Sequence, residues 1–218
     1  AELLEQAILE VYRDVDAGKI SLDEMEASVD KILSYKEEYI DGEASGQGCS
    51  EEDRRTEQEI RRKSIVLTQG KLFPVGENTF FTGCAGFRAT LASSENNRQV
   101  TFAEYMAEKF GGRALLTSKN PDENEIKAVS EKAADADSIV ISTYNGHLQP
   151  GQLELVRALA EKQLPVAVVA LRNPYDLAEL PENAVGIAAW DNSLMTLKVL
   201  EEMFRGEWQP TGNLPIRL

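Results

Sequence analysis

At 218 residues the chain can hold one large domain, or one domain and an appendage. Its 42% hydrophobic and 28% charged residues are ordinary for a globular protein. The net charge of −14 argues against nucleic acid or an anionic membrane as partner, and no apolar run of about eighteen residues offers a membrane span.

Taken in order, the chain begins with helices. Glu2 to Ala17 reads as one, ended by Gly18. Ser21-Leu22-Asp23-Glu24 is a capping box, in which the Ser hydroxyl serves the N3 amide. Leu22, Met25, Val29, Ile32 and Lys36 then follow one face to about Tyr39, and that face needs a partner, because an isolated helix of this length is marginal in water. The chain opens at Ala1 without a Met, inside a helical pattern, so it reads as a piece of something longer, and a targeting segment is left open. Asp41 to Ser50, DGEASGQGCS, is polar and Gly/Ser-rich, the composition of a linker. Arg54 to Lys63 forms a third helix that runs into the strand Ser64 to Thr68.

From there strands and helices alternate. Thr79 to Thr82 is a second strand. Phe102, Tyr105, Met106 and Phe110 mark a helix stopped by Gly111-Gly112, and Ala114 to Thr117 is a third strand. Asn120-Pro121-Asp122-Glu123 opens the next helix, with Asn as N-cap and Pro at N1. The stretch Ser138 to Leu180 organises the rest. Its apolar run Ile139-Val140-Ile141 ends at the turn signal Asn145-Gly146. Pro150 suits a first helical turn, Leu153, Val156 and Leu159 recur at helical spacing, and Pro165 stops that helix before a second apolar run, Val166 to Leu171. Strand, helix and strand at this separation make a right-handed βαβ unit, and strands this uniformly apolar are covered on both faces. Val185 to Trp190 gives a sixth strand. A last helix turns Leu194, Leu197, Leu200 and Phe204 inward, with Gly206 at C′ and an extended tail beyond. The fold class is therefore α/β: a doubly wound, mostly parallel six-stranded sheet with helices on both faces, behind an N-terminal helical segment.

Four segments in succession carry a family likeness: RRKSIVLTQGKLFPV, GQLELVRALAEKQLPVAVVALRNPYDL, the ending FRGEWQPTGNLPIRL, and the leading ASVDKILSYKEEYI. Together they resemble the C-terminal α/β-sandwich domain of family 3 glycoside hydrolases, and most closely bacterial two-domain β-N-acetylglucosaminidases. The most specific pieces are Gly206 to Pro215, in the pattern Gly-x-x-x-Pro-x-Gly-x-Leu-Pro, and Asn173-Pro174-Tyr175-Asp176. The resemblance implies that residues 1–40 are the end of a (β/α)8 barrel, 41–50 the interdomain linker and 51–218 the accessory domain. It implies as partner the catalytic barrel of the same protein, with carbohydrate as ligand and no cofactor. It also implies a bacterial origin, an extracytoplasmic whole protein that is secreted or lipid-anchored, and work on cell-wall or chitin fragments. Without the barrel the exposed N-terminal helices are expected to fray or to associate with a second copy.

In that family the nucleophile is an Asp on the barrel, and the N-acetylglucosaminidases take their acid/base from an Asp-x-His pair on a barrel loop. The one histidine here is His147, with Asn145 rather than Asp two residues before it. No catalytic residue is assigned to this chain, and no metal ligands either. Cys49 and Cys84 make no metal pattern and are read as incidental.

Ligands of open α/β sheets gather at the carboxyl ends of the strands. The loops there are Gly83 to Arg88, Tyr144 to Gln149, Arg172 to Asp176 and Asp191 to Ser193. Tyr144, Asn145, His147, Arg172, Asn173, Tyr175 and Asp176 are the residues expected to face the substrate cleft or the barrel. Plain structural roles compete: Asp176 as cap of the turn that follows it, Tyr144 as a half-buried rim residue, His147 as solvent-exposed, Arg172 paired with an acid or a barrel carbonyl. The loop Arg172 to Asp176 follows the most apolar strand, so its root is fixed while Tyr175 and Asp176 point outward. Changes there are expected to shift the chain's own stability by under about 1 kcal/mol. Two other classes remain beside the accessory domain. One is a free-standing carbohydrate-binding or protein-interaction module, the other a flavodoxin-like flavin or nucleotide binder.

Overall fold

The structure, a computed structural model, describes residues 2–40, 48–87 and 100–218. The linker reading falls, for residues 41–47, outside the described residues, as does Arg88 of the loop after the second strand. The chain divides into two compact units, one ending at Ser50 and one running from Glu51 to Leu218.

The first unit is helical. α1 spans Glu2–Asp16 and α2 Leu22–Tyr39, with Gly18 at φ 67° in the turn between them. Ser21 caps α2 as expected, its hydroxyl accepting from the Glu24 amide at 3.1 Å. No residue of α2 is buried, and Leu22, Val29 and Ile32 on the predicted face are all exposed. The apolar periodicity was legible, but the described residues leave that face exposed.

The second unit follows the alternation of the sequence. α3 (Glu51–Ser64) leads into β1 (Val66–Gln69), then β2 (Thr79–Cys84), α4 (Phe102–Phe110), β3 (Arg113–Thr117) and α5 (Glu123–Lys132). β4 (Ser138–Thr143), α6 (Pro150–Ala160), β5 (Val166–Ala170), β6 (Ala184–Ala188) and α7 (Leu194–Phe204) complete it. The six strands form one sheet in the order β1-β6-β5-β4-β2-β3, parallel throughout except that β1 runs antiparallel to β6.

Successive strand residues point to opposite faces, so an all-apolar strand feeds two cores. Phe81, Val140, Val169 and Ile187 meet Met106, Phe110, Leu200 and Met203 from α4 and α7 on one face. Phe80, Ile141, Val168 and Ala188 meet Val129, Leu155, Val156 and Leu159 from α5 and α6 on the other. This is the doubly wound α/β fold the pattern implied.

Two local expectations are corrected. α5 is capped by Asp122, whose side chain accepts from the Glu125 amide at 2.9 Å, and not by Asn120. Asn120 lies two residues before that cap, and its amide oxygen instead accepts from Gly151 at the start of α6, 2.9 Å away. Leu194 does not turn inward: as the first residue of α7, just after its Ser193 cap, it is 47% exposed. The stripe buried by α7 is instead Leu197, Leu200, Met203 and Phe204.

The tail explains its own spacing. Gly206 adopts φ 79° one residue after the Arg205 cap of α7, a left-handed position that disfavours a side chain. At Gly212 a Cβ would sit 2.7 Å from the Lys63 carbonyl oxygen and 2.8 Å from that of Ile65, so only glycine lets the tail cross the α3–β1 junction. Leu214 then packs on the α5/α6 core.

Candidate functional site

The chain leaves β2 for β3 at one edge, and β4 then returns on the other side of β2. The order of strands therefore reverses between β2 and β4, and the carboxyl ends beside such a reversal are where open α/β sheets take their ligands. The segments after β4 and β5 build the ground beside it.

After β4, Asn145 takes a left-handed conformation at φ 56° and the chain makes a single 3-10 turn, Gly146–Leu148. A short asparagine tolerates that conformation where a branched residue would not. After β5, Asn173 is extended at φ −117° and ψ 133°, as the residue before a proline must be, and a second 3-10 turn spans Pro174–Leu177.

Asp176 joins the two turns. Its carboxylate accepts from the Gly146 amide, the His147 amide and the His147 Nδ1, each at 2.8 Å. Asp176 is 2% exposed, so the expectation that it points outward is wrong. It caps a turn, but the one after β4 and not the one that follows it. Two free amides converging at the start of a short turn form a small anion seat, and a carboxylate fills it.

The other expected residues fall into three kinds. His147 keeps 27% of its side chain exposed, and its ring meets Tyr175 edge-on, centroids 5.7 Å apart. Tyr175 is 50% exposed and is the outward-facing residue of its loop. Asn173 donates to the Asn145 side-chain oxygen at 2.6 Å, a second tie between the segments, and Asn145 itself is buried. Tyr144 is buried, not a half-exposed rim residue. Arg172 donates to the Tyr144 hydroxyl at 2.9 Å, so among the described residues its bond goes to a phenol and not to an acid. The structure thus gathers all seven, with His147 and Tyr175 at the surface and Asp176, Asn145 and Tyr144 beneath.

Sequence reasoning missed three supporting residues. Gln152 on α6 is buried and clasps Tyr144, accepting from its amide at 2.9 Å and donating to its carbonyl at 3.2 Å. It also donates to the Lys119 carbonyl at 2.8 Å. Phe87 stands edge-on to Tyr144 at 4.9 Å, and the Lys119 ammonium lies 4.3 Å above the Phe87 ring. A glutamine on the inward face of an apolar helix was the available signal, since a buried amide needs partners.

The fourth loop is taken up by structure. Arg61 of α3 donates to Asp191 at 2.8 Å and to Thr196 at 2.7 Å, and it also holds Glu57 at 2.9 Å. Burial works against the charge of Asp191, but bonds from Ser193, Arg61 and Thr196 outweigh it and hold the carboxyl below its ordinary range. A carboxyl lowered by folding adds stability that is complete above its unfolded value, near pH 4, and is lost as pH falls through the lowered one. Asp191→Asn is therefore expected to weaken the chain at about pH 6 and to differ less from the parent near pH 3, measured by urea midpoints. A gap that stays constant between the two would contradict this.

Both cysteines are free, Cys49 exposed and Cys84 buried at the end of β2, where burial pushes the Cys84 thiol up to about 11. Among the described residues no three His, Cys, Asp or Glu side chains gather as a metal site, and no helix is long and apolar enough to cross a membrane.

The chain is thus a doubly wound α/β unit, behind a helical segment, whose strand-end loops present an oriented histidine beside an exposed tyrosine. No family model matches the sequence, and no curated protein does. Solved structures do match. The chain is similar to a glycoside hydrolase family 3 β-N-acetylglucosaminidase from Paenibacillus sp. str. FPU-7, with TM-score 0.74 and 22% identity over 93% of this chain. It is similar to the fungal multi-domain family 3 β-N-acetylglucosaminidase that carries a glucosamine N-acetyltransferase region, with TM-score 0.66 and 15% identity over 99% of this chain. A β-glucosidase from Listeria innocua in complex with isofagomine follows, with TM-score 0.61 and 15% identity over 91% of this chain. At these identities the likeness is one of fold, the fold that the sequence resemblance implied. The chain spans 41%, 26% and 33% of the lengths of these three proteins, so it corresponds to a part of them.

Proposed function

We propose that this chain is the C-terminal accessory domain of a family 3 glycoside hydrolase, preceded by the last helices of its catalytic barrel. In the whole protein it packs on the barrel and helps shape the cleft from which terminal β-N-acetylglucosamine is released. The observation that carries this reading is the match over 93% of this chain to 41% of a β-N-acetylglucosaminidase. The choice of the N-acetylated sugar rests on the sequence resemblance, and the match to two β-N-acetylglucosaminidases is consistent with it. Cell-wall or chitin fragments are the natural source of that sugar.

The chemistry of the site supports an accessory role. Retaining hydrolysis typically needs two carboxyl groups about 5 Å apart, one as nucleophile and one as acid. At the described strand ends Asp176 is buried under three donors and Asp191 is paired with Arg61, so neither stands as a free carboxylate. The exposed apolar residues of α1 and α2, among them Leu4, Ile8, Val29 and Ile32, are surface that a barrel would cover and that a second copy would cover in its absence.

The test compares turnover of an aryl N-acetyl-β-glucosaminide by this chain and by the full-length protein. The chain is expected to be inactive and the full-length protein active. Turnover by the chain within about tenfold of the full-length protein would overturn the reading, since loss of catalytic carboxylates costs orders of magnitude.

A further inference from the structure

The His147–Asp176 pair does more than tie two turns together. Asp176 already accepts two backbone amides, from Gly146 and His147, and amide nitrogens can only donate. An ionised carboxylate has no hydrogen to give, so its third partner, the His147 Nδ1 at 2.8 Å, is the donor. In the neutral ring Nδ1 carries the hydrogen, and Nε2 is a bare lone pair.

Nε2 makes no hydrogen bond among the described residues, while the ring is 27% exposed. Its direction is fixed three times over. The carboxylate holds the far nitrogen, Tyr175 meets the ring edge-on at an interplanar angle of 65°, and the left-handed Asn145 fixes the backbone that carries it. The fully buried carboxylate selects the tautomer that leaves Nε2 as an acceptor on a partly exposed ring.

We propose that His147 Nε2 and the Tyr175 ring form a saccharide-binding subsite belonging to this domain, in which Nε2 accepts a sugar hydroxyl and Tyr175 covers an apolar ring face. A hydroxyl is the matching donor for a neutral imidazole nitrogen, and the C–H face of a pyranose is the matching surface for a half-exposed aromatic ring. Asp176 is a positioning residue and touches no sugar. The choice of sugar rests on the reading of the chain as part of a β-N-acetylglucosaminidase.

The experiment uses the chain itself, whose single histidine gives one imidazole signal. Long-range proton–nitrogen spectra above the titration range of histidine report which ring nitrogen carries hydrogen. The expected result is hydrogen on Nδ1 and none on Nε2. Addition of N-acetylglucosamine or its β-1,4-linked dimer is then expected to shift the Nε2 resonance and the Tyr175 ring protons along one saturable curve. Tyr175→Ala, an exposed change that leaves the fold intact, is expected to weaken that curve about fivefold or more, the range for one packed aromatic contact. Hydrogen on Nε2, or resonances that ignore both sugars, overturns the proposal. Failure of the accessory-domain reading shows elsewhere, as a full-length protein with no glycosidase turnover. A turning-over enzyme with a silent His147 sinks the subsite alone.

Discussion

Asp176→Ala is expected to destabilise the chain by about 3 kcal/mol, far more than a loop substitution normally does. The carboxylate is the acceptor for the Gly146 and His147 amides and for the His147 ring. Gly146 is buried, so its amide would lose its partner without gaining water. One stranded buried donor costs about 1–3 kcal/mol, and bonds to a charged acceptor sit at the upper end. Asp176→Asn offers one acceptor oxygen but turns an amide donor toward the remaining N–H groups, so it is expected to recover little. Tyr175→Ala, next to it but half exposed, should cost under about 1 kcal/mol. Urea midpoints of the three variants give the answer. An Asp176→Ala chain within about 1 kcal/mol of the parent would mean that the turn after β4 holds itself.

That expectation reverses what the sequence suggested for the same residue, and the reason is physical. The pattern Asn-Pro-Tyr-Asp after an apolar strand marks a constrained loop, and the extended Asn173 and the 3-10 turn both follow from Pro174. Which of Tyr175 and Asp176 faces out depends on what else needs a carboxylate. The need arises 29 residues away, in a turn whose two amides have no other partner among the described residues. The family resemblance asked for an acid two residues before His147, where the sequence has Asn145. The acid partner is Asp176, brought in by the pairing of β4 with β5 at Thr143 and Ala170. The sheet and its two helical layers were legible because periodicity is a local signal. The hydrogen-bond pairs of the site were not, because the strand order that juxtaposes them is not written in any one segment. Asn120 and Leu194 failed on a smaller scale: each lies one or two positions from the cap of its helix, the least certain part of any helix.

Gly83→Ala is expected to cost still more, about 4 kcal/mol, although it adds one methyl group. In sequence Gly83 belongs to Gly83-Cys84-Ala85-Gly86, which reads as a tight turn or an anion nest. In the structure both Gly83 and Cys84 continue β2, and Gly83 pairs with Ser142 of β4. Its φ is 133°, a conformation that L side chains rarely adopt. A Cβ there would not leave the sheet along a face. It would run into the Ser142 side chain and lie 2.5 Å from the Ser142 carbonyl oxygen. Two costs therefore add: backbone strain of about 1–3 kcal/mol and overpacking of about 1–3 kcal/mol between central strands. Gly206 separates the two. It has φ 79° with nothing within 4 Å of a built Cβ, so Gly206→Ala meets strain without collision and should cost about 1 kcal/mol. The consequence for function lies next to Ser142. Any shift of β4 away from β2 moves Thr143 and Tyr144, and with them the ground on which Arg172 and Phe87 rest. Urea unfolding of Gly83→Ala beside Gly206→Ala decides the matter. Equal losses would mean that the sheet yields at Ser142 and that the close approach of β2 and β4 does not hold the strand ends in place.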